Sequence, residues 1–189
     1  DKFDKRRSQF DFKELFFLHY SANWEYNIGI KQVFWGITES NNIVDIINQT
    51  DIADEPSGES KLGQPLISIS NISDMGTVDF YFLPLFRERT SIGDNGRLRL
   101  SSAIDRKDPL YEGGSGKNRS DLAIRWLNNY NNWDLSGHIF RGIVREPSII
   151  PILRNSELKL ATGYQKINQF GGTVQKASGP LLFKMESIF

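Results

Sequence analysis

Asp134, Ser136 and His138 supply the three side-chain types of a nucleophile, its base and an orienting carboxylate. They alternate along one stretch, so in a strand all three point the same way, with neighbours about 7 Å apart. A working triad needs hydrogen-bond contact and draws its members from separate elements. The spacing therefore argues against catalysis, and no enzymatic activity is expected.

Two further groups of charged residues invite chemistry. Asp45, Asp51, Asp54, Glu55 and Glu59 offer hard oxygen ligands of the kind calcium takes, but without the spacing of an EF-hand. They read either as a weak cation site or as a solvated acidic loop, and no metal or other cofactor is assigned. Arg87, Arg89, Arg97, Arg99, Arg106, Lys107, Lys117 and Arg119 form a basic stretch. Such a stretch either folds into a pore as a basic ladder or meets solvent and lipid phosphates. Gly113-Gly114-Ser115-Gly116-Lys117 lacks the glycine spacing of a phosphate loop and reads as a flexible tip.

Composition narrows the field. Lys plus Arg and Asp plus Glu each total 23 in 189 residues, so the net charge is zero and nucleic acid is not an expected partner. Cysteine is absent, which removes disulfides and thiolate chemistry. No apolar run approaches the roughly 18 residues of a membrane helix. The start, Asp1-Lys2-Phe3-Asp4-Lys5-Arg6-Arg7, is polar and does not read as a signal peptide; the chain is expected to be a mature form or an internal piece.

The elements that must carry these residues have period two. Trp24, Tyr26, Ile28 and Ile30 alternate with Glu25, Asn27, Gly29 and Lys31. Before them, Phe10, Phe12, Phe16, Leu18 and Tyr20 share one parity. A tight turn at Ser21-Ala22-Asn23 makes the two segments a hairpin. Three more hairpins turn at Ser73-Asp74-Met75-Gly76, at Asn131-Asn132 and at Ala177-Ser178-Gly179. About eight strands in four hairpins follow. Long loops at about 37–61, 88–120 and 147–157 alternate with these short turns, and aromatics flank two of the turns (Tyr20 with Trp24, Tyr130 with Trp133). Residues 42–49 alone suggest a short amphipathic helix.

These features predict one all-β domain over residues 1–189, an antiparallel transmembrane β-barrel or a piece of a larger one. Phe10, Phe12, Trp24, Tyr26, Ile28, Ile30, Phe80, Phe82, Ile124, Trp126, Ile139 and Phe183 are expected to face lipid. Glu25, Lys31, Asp79, Arg87, Asp121, Arg125, Asp134, His138, Lys184 and Glu186 are expected to line the lumen. Arg141 falls on the lipid parity and implies a snorkelling side chain or a bulge. A soluble antiparallel sheet, or a barrel with its apolar face inward, shares the same alternation.

The stretch Lys31-Gln32-Val33-Phe34-Trp35-Gly36-Ile37-Thr38-Glu39-Ser40, continuing to Asp45-Ile46-Ile47-Asn48-Gln49-Thr50-Asp51, resembles a family of uncharacterised porin-like outer-membrane proteins of Gram-negative bacteria. Lys61-Leu62-Gly63-Gln64-Pro65, Phe86-Arg87-Glu88-Arg89-Thr90, Leu110-Tyr111-Glu112 and Arg145-Glu146-Pro147 extend the resemblance in order. It implies a bacterial outer-membrane location among lipid and lipopolysaccharide, and a barrel wall that continues beyond this chain. It transfers no substrate and no catalytic residue. The expected function is passive passage of small solutes; the alternative is a closed structural or adhesive barrel whose long loops bind a partner. Phe189, a terminal aromatic, fits a small complete barrel.

Overall fold

A computed structural model of the chain describes residues 10–39, 41–93, 104–113, 116–154 and 156–189. Arg97 and Arg99 of the basic stretch, Gly114 and Ser115 of the glycine-rich tip, Ser40 and Asp1–Arg7 lie outside the described residues. The strands are β1 (Leu15–Ser21), β2 (Trp24–Lys31), β3 (Gln64–Ser73), β4 (Gly76–Leu83), β5 (Ile104–Tyr111), β6 (Asp121–Tyr130), β7 (Trp133–Ile143), β8 (Ser148–Arg154), β9 (Glu157–Tyr164), β10 (Lys166–Ser178) and β11 (Leu181–Ile188). Among the described residues there is no α-helix, and residues 42–49 form turns and extended chain rather than the expected helix.

Eight strands form one sheet in the order β1-β2-β3-β4-β6-β7-β10-β11, with all neighbours antiparallel. The four expected hairpins are its four tight β-turns. Ala22, Asn131 and Asn132 adopt left-handed backbone (φ 51°, 49° and 65°), which asparagine tolerates and a two-residue hairpin loop favours. The last turn is Gly179-Pro180 rather than Ala177-Ser178-Gly179, because β10 runs on to Ser178 and Gly179 takes the positive φ of 58°. Strict alternation of direction puts all four tight turns at one end and every long connection at the other. The sheet is open: β1 and β11 each pair on one side only.

The long connections are more structured than their sequence suggests. β5, β8 and β9 lie within or beside the stretches read as loops and form a second sheet, β5-β9-β8. β5 runs parallel to β9, a pairing no hairpin pattern in the sequence announces. Phe86, Tyr111 and Tyr164 pack between this sheet and the main one, with ring centroids 5.0 Å apart for Phe86–Tyr164 and 5.3 Å for Tyr111–Tyr164.

The two faces of the large sheet differ in kind. One is bare and apolar: cross-strand pairing sets Phe17, Ile28, Ile67, Phe82 and Leu122 in one row and Tyr26, Ile69, Phe80, Ile124, Ile139 and Phe170 in the next. Ile28, Phe80, Ile124 and Ile139 remain 54%, 45%, 45% and 49% exposed. The other face carries the polar parity and is covered over β3, β4, β6 and β7 by residues 32–39 and 41–62. Its core is Trp35, Val44, Ile46 and Ile47 against Leu66, Leu83, Ala123 and Phe140.

The parity of β1 is a correction. Phe17 pairs with Ile28 and His19 with Tyr26, so Phe16, Leu18 and Tyr20 fall on the polar-parity face, where they stay exposed at its β1 edge. Both parities of Leu-Phe-Phe-Leu are apolar, so alternation could not decide, and the turn register does. Phe10 and Phe12 precede β1, are exposed, and pack edge to face at 5.1 Å instead of extending the strand. Arg141 stays on the bare face, exposed, without a register shift between β6 and β7.

Candidate functional site

The covered face brings together the charged residues of five strands. Cross-strand pairs run Glu25–Ser70–Asp79–Arg125–His138 in one row, Thr77–Leu127–Ser136–Thr173–Glu186 in the next, and Asn129–Asp134–Gln175–Lys184 beyond it. Lys31 and Asp121 lie on the same face, near the long-connection end. Of the residues assigned to the interior from sequence, Arg87 is the exception. It follows β4 and is fixed outside the sheet by Asp11 (2.7 Å) and by donation to the Gly63 carbonyl (2.6 Å).

The alternating triad is not assembled. Ser136 Oγ bonds Thr173 Oγ1 at 2.8 Å, and His138 Nε2 sits 3.2 Å from Gln169 Nε2. Asp134 accepts from Asn129 (2.6 Å) and Gln175 (3.1 Å). The partners of Ser136 and Asp134 lie directly across a strand pair and Gln169 lies diagonally from His138, which is where a period-two side chain finds its neighbours.

The segment 32–62 is held by carboxylates and amides that accept its own backbone N–H groups. Asp45 Oδ1 receives Trp35 and Gly36, the latter at 2.9 Å, and Asn48 Oδ1 receives Val33 at 2.8 Å. Asn48 Nδ2 donates to the carbonyls of Lys31 (2.9 Å) and Leu62 (2.8 Å). Glu186 on β11, far away in sequence, accepts from Ile37 (2.7 Å) and Thr38 (3.1 Å). A buried segment leaves many backbone groups without strand partners, and these side chains satisfy them. Lys184 adds an ion pair to Glu39.

At the long-connection end Arg145 closes the assembly. Its Nη1 donates to Asp121 Oδ2 and to the Ile143 carbonyl, both at 2.8 Å, and its Nε donates to the Ile47 carbonyl at 3.0 Å. Its guanidinium carbon lies 5.2 Å from the Phe86 ring and 5.3 Å from the Phe140 ring. Burial pulls this guanidinium below its ordinary pKa, and the Asp121 charge opposes that shift. Gly142 makes the fit possible: a Cβ there would stand 2.3 Å from the Asp121 carboxyl carbon.

The acidic residues read as a weak cation site or a solvated loop are not all exposed. Asp51 is buried, accepting from Thr90 Oγ1 (2.7 Å) and the Asp54 N–H (3.2 Å), while Asp54 pairs with Lys13 at 2.8 Å. That hydrogen bond raises the Lys13 pKa. Among the described residues no three carboxylate or histidine side chains gather as a metal site.

Trp35 is the centre of the covering segment. Its ring lies tilted against His138 and Tyr81, with centroids 4.8 Å and 5.7 Å away, and the Arg125 guanidinium stands 5.6 Å from it. Between this layer and the tight turns lies a cavity of about 450 Å³ lined by Ile37, Thr77, Arg125, Leu127, Asp134 and Thr173 among others. A smaller one of about 220 Å³ at the opposite end is lined by Arg119, Arg141 and Lys166 with their neighbours.

Sequence reasoning missed Trp35, Asp45, Asn48 and Arg145 as the anchors. A signal was present: Val44, Ile46 and Ile47 are unusually apolar for a surface connection, since loops that meet water seldom bury three branched aliphatics. Comparison of the chain with protein-family models, with curated proteins and with solved structures returned no match.

Proposed function

We propose that this chain is part of the wall of a porin-like outer-membrane β-barrel that lets small solutes pass passively. The observation that carries the reading is the inverted sheet: aromatic and branched aliphatic side chains bare on one face, and polar side chains such as Asn27, Ser68, Asp79, Asp121, His138 and Thr173 buried on the other. In water, burying each such apolar side chain would gain about 1.5–3 kcal/mol. A soluble sheet would cover this face, and lipid covers it in a barrel wall. Placement of all tight turns at one end and long connections at the other supports the same orientation, with the turns periplasmic.

Barrel width separates passage from closure. Eight strands enclose an interior that side chains alone fill. Here a whole chain segment, 32–62, lies on the covered face, so a barrel made from this sheet has more than eight strands. That argues for a wider lumen partly filled by an inward-folded segment. The bare-face Arg141, with Arg119 and Lys166, stands at the long-connection end of the apolar rows, the height of lipopolysaccharide phosphates in this orientation. A second reading, a structural or adhesive barrel, is favoured by the β5-β9-β8 sheet, a built module at the outer end that solute passage does not need.

Two measurements test the proposal. Unheated protein refolded in detergent should migrate as a compact species on gels and convert on heating. Planar bilayers containing it should show discrete conductance steps. Compact migration without conductance favours the structural reading, and failure to enter bilayers at all overturns both.

A further inference from the structure

Resting on the barrel reading, we infer that the cavity beside Arg125 binds a small hydroxylated carboxylate, a solute of sugar-acid type. Arg125 projects from β6 into a cavity of about 450 Å³ on the covered face. Among the described residues it forms no ion pair. Its contact to the Trp35 carbonyl is a long 3.5 Å, and its buried Nε has no partner. The two carboxylates that act on it most, Asp79 and Asp45, are engaged elsewhere: Asp79 accepts from Tyr81 at 3.2 Å and Asp45 from the Trp35 and Gly36 amides. A guanidinium without an ion pair beside a cavity of this size is matched by a planar anion, and a carboxylate can take two parallel bonds from its fork.

The rest of the lining selects hydroxyl groups. Thr77, Ser136 and Thr173 offer hydroxyls, Asn129 and Gln175 offer amides, and Asp134 offers a carboxylate whose present donors are amides, not cations. Alternating donors and acceptors of this kind fit a polyol chain. Asp134 in the same cavity disfavours a multiply charged ligand such as a phosphate dianion, because one guanidinium faces one carboxylate. Leu127 and Ile37 supply the small apolar surface on which a C–H face rests.

The test is calorimetric titration of the refolded chain with D-gluconate and, separately, with D-glucose, which shares the hydroxyls and lacks the carboxylate. Gluconate should bind at least about tenfold more tightly than glucose, since bonds to a charged group are the stronger class. Arg125→Gln should erase that preference. Leu127→Trp, which fills the cavity and leaves Arg125 in place, should abolish binding and keeps the test open should Arg125→Gln not fold. Equal affinity for the two solutes, no binding of gluconate, or a preference that survives Arg125→Gln in folded protein would overturn the assignment. Vesicle insertion is measured on the same samples. Insertion without gluconate binding sinks the site and leaves the barrel standing, and binding without insertion does the reverse.

Discussion

Ile124 and Leu127 share strand β6 and face opposite ways, which makes lysine at each position a direct test of which side meets lipid. Ile124 sits on the bare face between Phe80 and Ile139, 45% exposed, one row in from the Leu122–Arg141 row. Leu127 lines the cavity on the covered face beside Thr77 and Ser136. From Leu122 to Tyr130 the strand rises roughly 26 Å, so Ile124, two residues in, lies about a quarter of the way along the span a tilted strand covers. A lysine near mid-bilayer on the lipid face of a barrel costs roughly 2–4 kcal/mol. The same lysine on the surface of a soluble sheet changes stability by about 0.5 kcal/mol or less. Ile124→Lys, between the rim, where the cost falls to about 0–1 kcal/mol, and mid-bilayer, should therefore lower unfolding stability in lipid vesicles by about 1–3 kcal/mol. Leu127→Lys, with water and Asp134 at hand, should cost under about 1 kcal/mol. The assay is urea unfolding of vesicle-inserted protein followed by tryptophan fluorescence. If the two variants lose equal stability, or Ile124→Lys is neutral, the assignment of the bare face to lipid is wrong.

Removing one member of the buried Asp121–Arg145 pair by Asp121→Asn should cost about 3–5 kcal/mol, while Asp121→Asn with Arg145→Met should cost less than the sum of the singles, because no orphaned charge remains; a double-mutant cycle checks it. Gly142→Ala drives a methyl into the Asp121 carboxyl, and should destabilise by about 1–3 kcal/mol, an effect that shrinks when Asp121 is itself shortened to Ala. Glu186→Ala frees the amides of Ile37, Thr38 and Val44. Their hydrogen exchange should accelerate at least about tenfold while the β10–β11 amides stay protected; unchanged exchange would show that the segment is held by packing alone.

Period-two alternation and turn chemistry, both local, made the sheet legible. Asn131-Asn132 tolerates left-handed backbone, and strands flanking such a turn pair in one register only. Alternation then assigns Glu25, Asp79, Arg125 and His138 to one face and Ile28, Phe80, Ile124 and Ile139 to the other, the distribution the fold has. Where both parities are apolar, as in β1, the pattern is silent, and pairing with β2 moved Phe16 and Leu18 to the unexpected face.

Tertiary structure alone decided what lies on the polar face. Nothing in the spacing of Trp35, Asp45, Asn48 and Ile47 says they fold back over β3, β4, β6 and β7. The partners that hold them, Glu186 and Arg145, come from remote strands and connections. The parallel pairing of β5 with β9 is non-local in the same sense. Turns and alternation are set by neighbours a few residues away, whereas the covering segment and the Arg125 cavity arise from contacts among residues on average far apart in the chain, which a local pattern cannot encode.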